Sequence, residues 1–217
     1  MKASRTEFVN LNNMRLCMRH WGDEDAPKLF MVHGWMDISA SFQFIVDAMK
    51  RDWHVIAPDL RGFGQSEWAV GGYWFPDYLA DLEAMLNHYS PDEPVRLLGH
   101  SLGGNITSVY SGVRPSRVAQ LISLEYPERL RSYRDREAVA DRLQQNNSRL
   151  TRERARFLAD YWSEENDKGE RVIMADPKHK SLPVLSRLDE ILACWSLIDA
   201  RLLFVEGKHS LLGIRMK

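Results

Sequence analysis

The sequence predicts an α/β fold, a mostly parallel, twisted sheet with helices on both faces, from three observations. Short apolar runs of strand length recur along the chain: Leu29–Val32, His54–Ala57, Val95–Leu98 and Leu121–Leu124. Stretches with apolar residues at helical spacing separate them, as parallel neighbours joined by crossover helices require. At 217 residues the chain is long enough to bury a sizeable core as one domain with an inserted subdomain.

Phe8–Leu11 and Met14–Met18 alternate apolar and polar residues around Asn12-Asn13, which predicts an opening hairpin. Asp23–Pro27 is a turn, and Leu29–Val32 is a buried strand running into His33-Gly34-Trp35-Met36-Asp37. Phe42, Ile45, Val46 and Met49 give Ala40–Lys50 one apolar helical face. His54–Ala57 is the next strand and ends in a loop, Pro58–Ser66, whose glycines permit a tight return and which is expected to support the site without taking part in chemistry. Phe75–Tyr89 is a second amphipathic helix; Val95–Leu98 is a strand, Gly104–Val113 a helix and Leu121–Leu124 a further strand. Internal repeats and low-complexity segments are absent from the sequence.

Charge and cysteine content exclude several partner classes. Lys and Arg total 29 against 30 Asp and Glu, so no nucleic-acid partner is expected. The basic residues between Arg129 and Arg156 are interleaved with acids, as on a solvated helical surface. Cys17 and Cys194 stand alone, with no metal-like spacing, which suits unpaired thiols in a reducing, cytoplasmic setting. Residues 1–25 lack the apolar core of a signal peptide, and no apolar run approaches membrane-spanning length, so no membrane partner is expected either.

The stretch richest in chemistry is Val95–Gly104. Its strand runs into Gly99-His100-Ser101-Leu102-Gly103, the G-x-S-x-G pattern of a nucleophile elbow. Ser101 would occupy a strained strand-to-helix bend that lifts its hydroxyl clear of the sheet, with glycine needed at 99 and 103 because side chains there would collide. The following helix aims its amide-rich N-terminus at the hydroxyl, where negative charge develops in acyl transfer. The backbone amides of Trp35 and Leu102 are the candidate oxyanion-hole donors, each worth about 3 kcal/mol of transition-state stabilisation. The His33 side chain is expected to tie down its loop rather than react.

In order and spacing, His33-Gly34-Trp35, Pro58–Ser66 and Gly99–Gly104 resemble the α/β-hydrolase superfamily, in its capped, esterase-like bacterial branch. The resemblance covers residues 6–125 strongly and the remainder more loosely. It implies a mostly eight-stranded sheet, no metal and no organic cofactor, and a nucleophile, acid and histidine in that chain order. Carried onto this sequence, Ser101 is the nucleophile, with Trp35 and Leu102 as oxyanion amides. A serine at 101, rather than an aspartate, argues against dehalogenase and epoxide hydrolase chemistry and favours ester, thioester or lactone hydrolysis through an acyl-enzyme.

On the same resemblance the chain divides into a core over 1–125, a short helical cap over 126–198 and a return strand over 199–217. Arg136–Leu143 and Arg152–Trp162 are the expected cap helices, Leu185–Trp195 the helix leading back and Arg201–Gly207 the return strand. His209 and Ser210 stand where relatives usually place the catalytic aspartate, and Lys217 precedes the expected final strand and histidine loop. Truncation relative to that pattern is therefore expected, with an exposed sheet edge able to form a homodimer.

That leaves the base and the acid open. His209 is the candidate base; Glu125, ending the sixth strand, is either an acid or a capping or salt-bridge residue. His100 adjoins the nucleophile but is expected to point away from it, and His179 falls in the cap. Two functions follow. One is a serine carboxylic-ester hydrolase acting on a small-molecule ester, with an apolar acyl pocket lined partly by Trp35, Trp74 and cap residues. The other is a degenerate or truncated relative that binds or scaffolds without turnover.

Overall fold

A computed structural model describes residues 1–124, 133–167, 169–176 and 188–205, the last stretch by backbone alone over 188–190. Within it, seven strands form one sheet: β1 (Ser4–Leu11), β2 (Met14–Trp21), β3 (Lys28–Val32), β4 (His54–Pro58), β5 (Val95–His100), β6 (Val118–Leu124) and β9 (Arg201–Val205). The spatial order is β1-β2-β4-β3-β5-β6-β9. From β4 to β9 all neighbours run parallel, while β1 and β2 pair antiparallel with each other and β2 antiparallel with β4. The opening hairpin turns through Asn12 and Asn13, both left-handed (φ 48° and 59°), a conformation Asn tolerates better than most residues.

The central strands are buried on both faces, so successive residues serve opposite cores. Phe30 and Val32 of β3 join Ile56, Leu97 and Leu121 on the face covered by α2 (Phe75–Tyr89) and α3 (Leu102–Val113). Leu29 and Met31 join Val55, Ala57 and Leu98 on the other, against Phe42 and Val46 of α1 (Gln43–Ala48) and the 3-10 turn before it. The expected helix over 40–50 is thus split, its first turn being the tighter 3-10 form. Helix α6 (Leu188–Trp195) packs on α3 so closely that a Cβ on Gly112 would lie 1.9 Å from the Cys194 carbonyl oxygen.

Between β6 and β9 lie α4 (Arg136–Asn146), α5 (Arg152–Trp162) and a small hairpin, β7 (Ser163–Glu165) with β8 (Arg171–Ile173), which the sequence pattern did not predict. Asp135 and Thr151 cap the two helices by accepting from the Ala138 and Arg154 amides. A core of Val139, Ala140, Leu143, Ala155, Leu158 and Ala159 joins them. The Pro58–Ser66 loop receives this segment: the Gly64 amide donates to the Met174 carbonyl (2.8 Å) and the Asp176 amide to that of Gly62 (2.9 Å). Arg61 fixes the same loop to α2 through a buried, two-pronged pair with Asp81. No described helix is long and apolar enough to cross a membrane.

Candidate active site

Ser101 sits at the junction of β5 and α3 with φ 52° and ψ −114°, a strained region for a side-chain-bearing residue. Neighbouring hydrogen bonds hold it there: its amide donates to the Leu124 carbonyl of β6 (2.6 Å), and its carbonyl accepts from Asn105 in the first turn of α3 (3.1 Å). Bare glycine backbone makes the bend possible. A Cβ on Gly99 would lie 2.3 Å from the Gly103 carbonyl oxygen, and one on Gly103 would lie 2.0 Å from that of Val32. The Leu102 amide opens α3, where no preceding turn supplies an intrahelical acceptor.

Because β3 pairs with β5, with Val32 opposite Gly99, the His33-Gly34-Trp35 loop emerges beside Ser101. Gly34 marks the closest approach: a Cβ there would lie 3.1 Å from both the Ser101 Cβ and the His100 Nδ1. His33 is fully buried and spans two loops, Nδ1 donating to the Gly34 carbonyl (2.7 Å) and Nε2 accepting from the Leu60 amide (2.9 Å). Those partners define its neutral tautomer. Burial, the largest effect, lowers its basicity further. Met36 follows with a second left-handed backbone (φ 59°), and Asp37 then turns its carboxylate toward His100, the Nδ1 lying 3.4 Å from Oδ2.

Above Ser101 opens a cleft of about 240 Å³. The sheet side contributes Trp35, Met36, Asp37, Ser41, His100 and Ser101; α4, α5 and their connection contribute Leu143, Asn146, Asn147, Leu150, Leu158 and Trp162. Trp35 thus lines the cleft as expected of an apolar pocket. Trp74 does not: it precedes α2 and is 55 % exposed, because the helix turns its apolar face to the sheet and leaves its entry residue in solvent. Trp162, which does enter the cleft, was indistinguishable in sequence from any other apolar residue of α5.

His100 does not turn away from the cleft; it lines it with Ser101 and faces Asp37. Two other histidines, His20 and His54, are buried next to each other, their ring nitrogens 3.1 Å apart. The candidate base His209, the candidate acid Glu125 and the cap residue His179 lie outside the described residues. Among the described residues no cluster of three or more His, Cys, Asp or Glu side chains is arranged to hold a metal ion.

A family model described as the alpha/beta hydrolase fold matches residues 27–173, which includes both loops and the bend. The chain belongs to the α/β-hydrolase family. Among curated proteins, a serine hydrolase-like protein of Danio rerio is 31 % identical over 107 residues, 48 % of this chain and 32 % of that protein. A 3-hydroxybutyrate-oligomer hydrolase of Cupriavidus necator is 31 % identical over 111 residues, 50 % of this chain and 38 % of its own length. The matched part of the chain thus spans about a third of the length of these two relatives. Among solved structures, the thioesterase domain from the curacin biosynthetic pathway superposes with a TM-score of 0.85 at 22 % identity, covering 97 % of this chain and 85 % of that one.

Proposed function

We propose that this α/β-hydrolase is a serine hydrolase that cleaves carboxylic esters, thioesters or lactones through an acyl-enzyme on Ser101. The observation that carries the reading is the strained Ser101 at the N-terminus of α3, facing an apolar-walled cleft beside the Gly34-Trp35 backbone. In this reading the bend is a nucleophile elbow. The Ser101 hydroxyl oxygen attacks the substrate carbonyl carbon while a general base takes its proton, and the oxyanion that forms is received by the Trp35 and Leu102 amides. Collapse expels the alcohol or thiol, which regains that proton; a lactone's leaving hydroxyl stays attached to the acyl group. Water then releases the acid and restores Ser101.

His33 is committed to two loop contacts and is not free to take the Ser101 proton. His209 and Glu125 keep the roles of candidate base and acid. The small volume and the leucine-lined wall favour a compact apolar acyl group. The named activity of the Cupriavidus relative, hydrolysis of an ester-linked oligomer, is consistent with such chemistry.

A fluorophosphonate probe with short p-nitrophenyl esters tests the proposal. Wild type should be labelled at Ser101 and turn the esters over, and Ser101→Ala should lose labelling and at least 10³-fold in kcat. A wild type that neither labels nor turns over overturns it, as does labelling that survives Ser101→Ala.

A further inference from the structure

The cleft has a polar fastening on one side that the chemistry above does not use. The geometry points to Asp37 as a positioning residue, a latch holding the C-terminal turn of α5 against the loop beside Ser101. Its Oδ1 accepts from the indole Nε1 of Trp162, the last residue of α5, at 3.0 Å. The same oxygen accepts from the Ile38 amide (2.9 Å) and the Ser41 hydroxyl, while Oδ2 faces His100. One carboxylate, 12 % exposed, therefore joins the roof of the cleft, its floor and the residue next to Ser101. Asp37 is pinned from below by the left-handed turn at Met36, so the carboxylate has little freedom to follow α5 if α5 moves.

Charge suits the role. Burial opposes ionisation of Asp37, but the hydrogen bond from His100, the electrostatic pull of His33 and His100 and the Ser41 hydroxyl outweigh it and hold its carboxyl pKa at about 2. The latch is thus a charge-assisted acceptor at neutral pH, stronger than a neutral one. Elsewhere α5 is held by other contacts. Ion pairs of Arg152 and Arg156 with Glu137, and of Asp160 with Arg136, tie it to α4. Phe157 lies against Phe44 at 5.5 Å, Arg154 over the Phe44 ring at 4.8 Å and Arg19 over Tyr161 at 4.9 Å, and the Trp162 carbonyl accepts from the Met174 amide (2.9 Å). Cutting the latch should therefore loosen the last turn of α5 without detaching the helix. Leu158 and Trp162 belong to that end and line the same cleft as Ser101, so the latch fixes that part of its wall.

Only the kinetic consequence rests on the hydrolase reading; the latch itself is tested by hydrogen exchange on the full chain. Trp162→Phe keeps the ring and removes the N–H, Asp37→Ala removes every arm, and Asp37→Asn keeps an acceptor without the charge. Amides over 159–165 should exchange roughly ten- to hundredfold faster in Trp162→Phe and Asp37→Ala, with Asp37→Asn intermediate. The preference for octanoate over acetate p-nitrophenyl esters in kcat/KM should shift severalfold in the same order. Faster exchange confined to 159–165 supports the latch even if wild type hydrolyses no ester, an outcome that would remove only the hydrolase reading. Unchanged exchange in Trp162→Phe, or acceleration spread evenly over the chain, overturns it.

Discussion

The Nε2 of His33 accepts the Leu60 amide at 2.9 Å, joining the loop after β3 to the loop after β4 beneath Ser101. This bond and the Nδ1 contact to Gly34 give both ring nitrogens a partner in a site with no water access. Replacing His33 by Ala leaves a buried amide and carbonyl without their imidazole partner, a cost of about 1–3 kcal/mol each before any cavity is counted. Urea unfolding of His33→Ala should show a lower midpoint at an unchanged slope. A midpoint equal to wild type would mean the two loops hold without the imidazole.

Glycine at the bend is a packing requirement, and a contrast isolates it. A Cβ at 103 would lie 2.0 Å from the Val32 carbonyl oxygen, in rigid sheet backbone, whereas one at Gly71 meets nothing within 4 Å. Gly103→Ala should fail to fold or lose several kcal/mol, while Gly71→Ala should stay within about 0.5 kcal/mol of wild type. Thermal unfolding monitored by circular dichroism separates the two.

Strain at Ser101 should be recoverable as stability. Glycine adopts positive φ without the side-chain penalty, so Ser101→Gly should gain on the order of 1 kcal/mol while abolishing probe labelling. In a domain of this size that is a rise of about 2–4 °C in Tm. A lower Tm in Ser101→Gly would count against strain at this position.

Acid should weaken the fold through the buried His20–His54 pair. Burial outweighs the pull of the Glu7 carboxylate, 3.0 Å from His20 Nε2, and sets the His20 pKa at about 4, below the ordinary 6.5. The unfolded chain then binds a proton that the folded chain refuses, so stability present above pH 6.5 is lost as pH falls toward 4. The loss should reach roughly 3 kcal/mol at most, from a shift worth about 1.4 kcal/mol per unit. Urea midpoints measured between pH 7 and 4 should fall steeply for wild type and less for His20→Gln. Equal slopes would assign the acid sensitivity to other groups.

The outer edge of the sheet is expected to associate. Leu202, Leu203, Phe204 and Val205 of β9 are 42–55 % exposed, and β9 has one strand neighbour among the described residues. Such an edge templates pairing with a second copy. Light scattering at high concentration should detect dimers, and Leu203→Lys should reduce them; a strictly monomeric wild type would refute the expectation.

Most of the sheet was legible because its strands carry the information locally. Val95–Leu98 and Leu121–Leu124 are predominantly apolar, broken by Arg96 and Ser123 alone, since both faces are covered, and Phe75–Tyr89 announces its helix through one apolar stripe. The bend at Ser101 was legible for a different reason: glycines at 99 and 103 are dictated by backbone clashes that leave no alternative residue. What stayed hidden depends on contacts between distant segments. Nothing local to Trp162 or Asp37 signals that they meet, 125 residues apart in sequence, and nothing near Trp74 signals that it faces solvent. The β7–β8 hairpin, with strands of three residues, is too short for a period-2 pattern to register.

The strand order also dictates how the chain can be assembled during synthesis. Six of the seven sheet strands are complete by Leu124, and β9, the neighbour of β6, arrives about 80 residues later. At roughly 5–20 residues per second, the β6 margin waits about 4–15 s on the ribosome for its partner. During that interval the nascent chain carries an open, parallel-pairing margin of β6, so expression yield should depend on chaperones that shield such edges until residues 201–205 emerge.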